Sequence, residues 1–380
     1  MTLGNVVNSL DIEAHYRPSS ILPITEETEL KNFCFYWRMA LKNRRWGVGE
    51  KSGVTVLILT FKRPQLLKRC VCAALRNEVR PLEIVISDDA ISTESRAAVA
   101  TIKIPAGVTL RHIKGPSKGS QAANAQFAFE AASHEAVVLM HDDDFLFDGA
   151  VDHLLALRDR FGDQVDAVYG LQQHVDFQGK VDWKTTHAKN RYYRKDAVEG
   201  VQDSRLCCAL TGQFPNNGML VRRSIALAAG YPSESEVGRI PVDYHFALRY
   251  ALASTGSFVL TQEYTSAYTM EGPSVWRQSP LVRVYNGHLG YEALMKVQAE
   301  TDAEGRALAA AKDRFAASAV MGHLSAGQPS KAWSIYRAHW QRMDKSWPMR
   351  LALGARVVAQ RILSSWKRPE RFVKRDRLLK

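Results

Sequence analysis

Ala136-Val137-Val138-Leu139-Met140-His141-Asp142-Asp143-Asp144 is the stretch on which the reading of this chain turns. Its first five residues form a continuous apolar run, as in a strand buried on both faces. Three carboxylates follow directly at the carboxyl end of that run. Two like charges ~4 Å apart at an effective dielectric of ~20 repel by about 4 kcal/mol, so the triplet is costly unless something offsets it. A divalent cation reverses the sign of that energy, and hard cations such as Mg²⁺ or Mn²⁺ favour oxygen ligands. Open α/β sheets bind ligands outside the carboxyl ends of their strands, which is where the triplet would sit. The alternative is a solvated, Asp-rich turn capping the next helix.

Upstream, strands and helices alternate. Val54 to Thr60 is a near-continuous apolar strand, and Pro64 to Asn77 reads as a helix with proline at its start. Leu82 to Ser87 and Val108 to Ile113 read as strands, Ser92 to Ala100 and Gln121 to Ala132 as helices, and Phe147 to Phe161 as the helix after the triplet. Such alternation predicts a doubly wound, mostly parallel α/β sheet flanked by helices. The second half is less regular. Strands are expected at Asp166 to Gly170, Gly218 to Arg222 and Ser257 to Tyr268, with a helix over Pro241 to Ala253. Residues 171–214 show no readable pattern, and beyond Pro280 the chain reads as helical. The expected division is an N-terminal extension over 1–52, with some helical character near Glu26 to Lys42, a catalytic domain over 53–278 and a helical region over 279–380.

The chain has 380 residues, enough for one large domain or two. It has no apolar run long enough to span a bilayer, and Met1 to Leu10 lacks the basic start and apolar core of a secretory signal. Cys34, Cys70, Cys72, Cys207 and Cys208 are odd in number and contain no CxxC pair, which argues against zinc and against a disulfide framework. Reduced thiols in a cytoplasmic protein are expected. The net charge is +12. Residues 331–380 hold 14 Lys or Arg against 3 Asp or Glu, so nearly all of the excess lies there.

Five segments in order resemble family 2 nucleotide-sugar glycosyltransferases of the GT-A fold. Thr60-Phe61-Lys62-Arg63-Pro64 after the first strand resembles the family's T-[YF]-x-R-P turn, and Ser87-Asp88-Asp89 followed by Ser92-Thr93-Glu94 its D-D-G-S-T-D turn. His141-Asp142-Asp143-Asp144 resembles the DXD region. Asn217 to Ser224 with Ala229-Gly230-Tyr231 resembles the acceptor-side strand and turn, and Val242-Asp243 to Arg249 the late acidic helix. The resemblance implies an inverting, metal-dependent transfer of a sugar from a nucleoside diphosphate, most commonly UDP, to a hydroxyl of a glycan or lipid-linked acceptor. The product would be a bacterial cell-surface polysaccharide or glycolipid.

The resemblance also implies roles. Thr60, Phe61 and Arg63 would line a slot for the base, with Asp88 accepting from its edge beside Asp89. Lys118 would meet the diphosphate, and Asn124 would match the family's donor-side Asn in the helix after that loop. Asp142 would contact the ribose or assist, and Asp143 and Asp144 would hold the Mn²⁺ or Mg²⁺. Asp243 would be the general base. The plain alternatives are a helix cap for Asp88 and Asp89, a solvated lysine for Lys118, a polar helix residue for Asn124, and for Asp243 an ion pair with Arg249 or an N-terminal helix charge favoured by the dipole. Trp183 and Trp276 are either sugar-stacking or core. Lys62, Ala90 and Ala123 depart from the family pattern. His141 stands where some members carry the first Asp, which leaves open which two carboxylates bind metal.

A sugar nucleotidyltransferase or a dehydrogenase would need a glycine-rich loop after the first strand, and Thr60 to Pro64 has no glycine. A DxDxT phosphatase motif is also missing after the second strand. The alternatives that remain are a catalytically degenerate nucleotide-sugar-binding protein and a nucleic-acid binder acting through the basic tail. No nucleic-acid module is visible, so nucleic acid is not an expected partner. Trp347, Leu351, Val358, Ile362 and Trp366 recur at helical spacing ahead of Lys367 to Lys380. Such a segment suits an anionic membrane surface at the inner face of the plasma membrane. The alternative is a helix packed on the catalytic domain with a solvated end.

Overall fold

The computed structural model describes residues 53–90, 93–116, 119–194, 197–215, 217–237, 241–270 and 287–366. All lie within one compact unit, Asn43–Lys380. The helical character expected near Glu26 to Lys42, Lys118, Trp276 and the tail from Lys367 lie outside these residues.

A nine-stranded sheet forms the centre. β1 (Val54–Thr60) lies between β2 (Leu82–Asp88) and β4 (Ala136–His141), parallel to both, and β3 (Val108–Lys114) extends the sheet beyond β2. The other half runs from β4 through β8 (Met219–Arg222), β6 (Val165–Val175) and β9 (Ser257–Thr269) to β5 (Phe145–Leu146), with β7 (Gly200–Val201) also on β9. β8 is antiparallel to both β4 and β6, so the sheet is mixed with parallel pairing dominant.

The period of two in the central strands explains the layers. Val54, Val56 and Ile58 pack with Leu67 and Val71 of α1 (Pro64–Ala74), Val99 of α2 (Thr93–Ala100) and Leu154 of α4 (Ala150–Phe161). Leu57 and Leu59 face the other way. They pack with Ala125 and Phe129 of α3 (Gln121–Ala131), Leu210 of α6 (Arg205–Thr211), Ile225 of α7 (Arg223–Ala229) and Phe246 of α9 (Val242–Ala253). Leu294 of α10 (Gly287–Met295) and Leu308 and Ala311 of α11 (Asp302–Ser325) belong to this second cluster. With α12 (Pro329–His339) and α13 (Trp347–Trp366), they build a third cluster around Val320, Ala332 and Val357.

Several element boundaries differ from the sequence-based expectation. The helix after the Asp triplet starts at Ala150, because Phe145 and Leu146 are drawn into pairing with Ala267 and Ser266, and Gly149 turns the chain at φ +70°. The first helix stops short of Asn77, whose side chain donates to the Ala74 carbonyl and accepts from Val151 N–H. The stretch without a readable pattern holds the end of β6, β7, α6 and α5 (Trp183–Tyr193). Only Thr186 and Asn190 of α5 are buried, so it carries no apolar stripe to read. A short α8 (Glu234–Val237) precedes α9.

Candidate functional site

The ends of β1, β2 and β4 converge on one edge, with Thr60 opposite Asp88 and Leu59 opposite His141. Asp142 is buried and turned into the β1–α1 turn. Its Oδ2 accepts from Thr60 Oγ1 at 2.7 Å and from Phe61 N–H at 3.4 Å, and its Oδ1 accepts from Arg63 at 3.1 Å. Burial, reinforced by Asp143, pushes its carboxyl up to about 6 against the opposing pull of Arg63. The same Arg63 nitrogen donates to Asp143 Oδ2 at 2.6 Å, so one guanidinium holds two of the three carboxylates. Phe61 is 47% exposed, with the Lys62 ammonium 5.3 Å from its ring centre.

Asp144 is 2% exposed and built in from the other side. Its Oδ1 accepts from Thr269 N–H at 2.7 Å, and its Oδ2 accepts from Asn217 Nδ2. Asn217 Oδ1 in turn accepts from Gln172 Nε2 at 2.9 Å, and the same Gln172 nitrogen reaches Ser266 Oγ at 3.2 Å. Burial, with Asp143 adding repulsion, holds the Asp144 carboxyl well above its usual range. The Arg69 guanidinium donates to the Asp143 carbonyl at 2.5 Å and to Thr269 Oγ1 at 3.2 Å, tying α1 to the loop.

One ligand atom each from His141, Asp143 and Asp144 lies within 4.8 Å of the other two. One imidazole and two carboxylates form a donor set that fits Mn²⁺ or Mg²⁺ with positions left for phosphate oxygens. Asp143 and Asp144, the two carboxylates expected to bind metal, both belong to this group. Among the described residues, His141 joins them and adds an imidazole to the pair.

Asp243 sits in the first turn of α9. Its Oδ1 accepts from Gln121 Nε2 at 3.1 Å and from the Tyr231 hydroxyl. Gln121 Nε2 also lies 3.2 Å from His141 Nε2, where its second hydrogen has an acceptor if the imidazole lone pair is on that nitrogen. One amide therefore spans the candidate metal group and the candidate base. The ion pair considered for Asp243 is not made, since Arg249 pairs with Glu236 at 2.7 Å.

The remaining donor-side residues take mixed positions. Asp88 caps its own turn by accepting from Ala90 N–H at 3.0 Å and faces His112 Nε2 at 3.3 Å. Asp89 is buried, with its N–H on the Thr60 carbonyl. Asn124 ties α3 to β2, donating to the Ser87 carbonyl at 3.1 Å and accepting from the Ser87 hydroxyl at 2.5 Å. Trp183 is half exposed beside Tyr264 and His187. Gln121, Arg69, Gln172 and Thr269 were not anticipated. Asn217 and Tyr231 lay inside segments read only as strand and turn.

Residues 55–214 match the family model described as Glycosyl transferase family 2. This stretch is thus similar to glycosyl transferase family 2. A curated relative, a GalNAc(5)-diNAcBac-PP-undecaprenol beta-1,3-glucosyltransferase from Campylobacter jejuni, is 27% identical over 107 residues. That alignment covers 27% of this chain and a third (33%) of the relative's length. Among solved structures, S. aureus TarS 1-349 in complex with UDP-GlcNAc superposes with a TM-score of 0.55 at 13% identity. It aligns over 81% of this chain and 89% of that one. A Pyrobaculum calidifontis mannosyltransferase in complex with GDP-Man and Mn2+ gives a TM-score of 0.50 at 16% identity, over 89% and 91% of the two chains. The fold is therefore that of GT-A glycosyltransferases, and the edge built from β1, β2 and β4 carries Thr60, Asp88 and His141.

Proposed function

We propose that the protein is an inverting glycosyltransferase that moves a sugar from a nucleoside diphosphate, UDP first among the candidates, to a hydroxyl acceptor in surface glycan or glycolipid synthesis. The observation that carries this is the placement of Asp243 and the His141–Asp143–Asp144 group on either side of Gln121. That arrangement supplies a proton acceptor and an anion-neutralising site within reach of one substrate. The undecaprenol-linked substrate named for the Campylobacter relative supports a lipid-linked acceptor, and the nucleotide sugars bound by the solved neighbours support the donor class.

The roles follow from chemistry. Phe61 and Arg63 border the base slot, with Asp88 at its edge. Asp143, Asp144 and His141 would hold a divalent cation, which when bound offsets the charge gathering on the leaving diphosphate. The anomeric carbon develops oxocarbenium character, as in glycoside hydrolysis. Asp243 takes the acceptor hydroxyl's proton as its oxygen bonds to that carbon on the face opposite the leaving group. A positioned base of this kind contributes ~10²–10⁴-fold. Tyr231 and Gln121 fix the direction of its carboxylate.

Thermal unfolding with UDP, dTDP, GDP or CMP, each with Mn²⁺ or EDTA, tests the donor side. A ligand at ~100 times its dissociation constant adds about 2.7 kcal/mol. A metal-dependent rise with one diphosphate, lost in Asp143→Ala, is expected. No rise with any nucleotide would favour the degenerate reading. Asp243→Asn should retain the rise and lose transfer, and unchanged turnover would remove Asp243 from the base role.

A further inference from the structure

Helix α13 touches the rest of the molecule through a narrow stripe. Val357 is fully buried, Gln360 donates to the Leu324 carbonyl at 3.0 Å, and the Tyr336 hydroxyl occupies the space a Cβ on Gly354 would need. With Leu353, these residues span an arc of about 120° at 100° per residue. The next arc, of roughly 60°, carries Trp347, Leu351, Val358 and Ile362, which are 63%, 44%, 42% and 52% exposed. Leu363, at 60% exposed, widens the apolar surface, and the exposed Ala352, Ala355 and Ala359 fill the gaps between larger side chains. Packing on α11 and α12 thus uses the side of the helix that its main apolar row does not occupy.

The charges around this face are of one sign. Trp347–Trp366 contains no acidic residue. Arg356 stands at one border of the apolar face. Arg361 stands at the other, its guanidinium 5.5 Å from the centre of the Trp333 ring. In sequence, residues 367–380 add seven Lys or Arg against Glu370 and Asp376. A second copy of the same face would set arginine against arginine, which opposes self-pairing. No helix of the described residues is long and apolar enough to cross a membrane.

We propose that α13 lies along the surface of an anionic bilayer, with Trp347, Leu351, Val358 and Ile362 entering the headgroup–acyl boundary. The depth of such insertion is about 5–10 Å, within reach of leucine and tryptophan side chains, and the flanking guanidiniums meet lipid phosphates. Each basic group near such a surface adds to the attraction. The proposal is independent of glycosyl transfer, because binding is read without turnover.

The test is co-sedimentation of the full chain with vesicles of phosphatidylcholine alone or with about a third phosphatidylglycerol. The full chain should partition onto the anionic vesicles and roughly tenfold less onto the neutral ones. The triple variant Leu351→Gln, Val358→Gln, Ile362→Gln should lose roughly tenfold on the anionic vesicles while its melting temperature stays unchanged. The single variant Ile362→Ser should fall between the two. Equal partition of wild type and triple variant, or wild type left in the supernatant, overturns the proposal. So does light scattering that shows a dimer which the triple variant dissolves.

Discussion

At the residue scale, the site depends on groups that never touch the reacting atoms. Asn217 is fully buried and aimed at Asp144 Oδ2. Asn217→Ala should free that oxygen to rotate and raise the Mn²⁺ concentration needed for a nucleotide-induced melting shift by about 10–100-fold. An unchanged metal requirement would assign Asn217 to packing alone. His245 behaves differently. It is 2% exposed, its Nε2 has no partner, and burial, helped by Arg249, lowers its pKa to about 4. The unfolded chain therefore binds the extra proton first. Stability is full above about pH 6.5 and falls as pH drops toward the folded value. His245→Leu should flatten that slope and gain roughly 1–3 kcal/mol at pH 5 over wild type, as urea melts at pH 5 and pH 8 would show. Little of this was legible. A lone Asn or His within an apolar run looks the same whether it orients a ligand, fills a core or does nothing.

At the element scale, legibility followed burial. β1 and β2 are buried along their length and β4 is buried up to His141, and all three are mostly apolar, so this half of the sheet was visible before any coordinates. α5 buries two polar residues and left no pattern to find. The antiparallel β8 was seen as a strand, but its direction was not, because a four-residue apolar run looks the same either way. That direction brings the start of β8 beside the end of β4, with Gly218 N–H on the Leu139 carbonyl at 2.9 Å. Gly218 has φ +69°, and a Cβ there would lie 2.6 Å from the Ser266 side chain. Gly218→Ala should cost on the order of 1–3 kcal/mol from backbone strain and shift Asn217 off Asp144. Its loss of metal-dependent nucleotide binding should exceed its loss of melting temperature. A variant that melts lower yet binds nucleotide and Mn²⁺ normally would separate the turn from the site.

At the scale of the whole molecule, α10 and α11 share the apolar core of the sheet. Leu294, Leu308 and Ala311 share one apolar cluster with Leu57, Phe246 and Tyr250. A chain shortened to residues 1–286 should expose that cluster and lose cooperative unfolding, whereas the full chain should melt over Asn43–Lys380 as one transition. Two well-separated calorimetric transitions in the full chain would contradict this. The uneven +12 charge was readable from composition. The outward turn of the α13 apolar row was not, because periodicity gives a face without saying which side of the molecule it meets. Closure of the loop that carries Asp144 also has a consequence in time. Asp144 is held by Thr269, 125 residues further along the chain. At ~5–20 residues per second, synthesis of that interval takes roughly 6–25 s. Asn217, the carboxamide donor, is made 73 residues after Asp144, and the Thr269 amide donor only at the end of the interval. The nascent donor half thus waits, electrostatically unfinished, for a strand that arrives last.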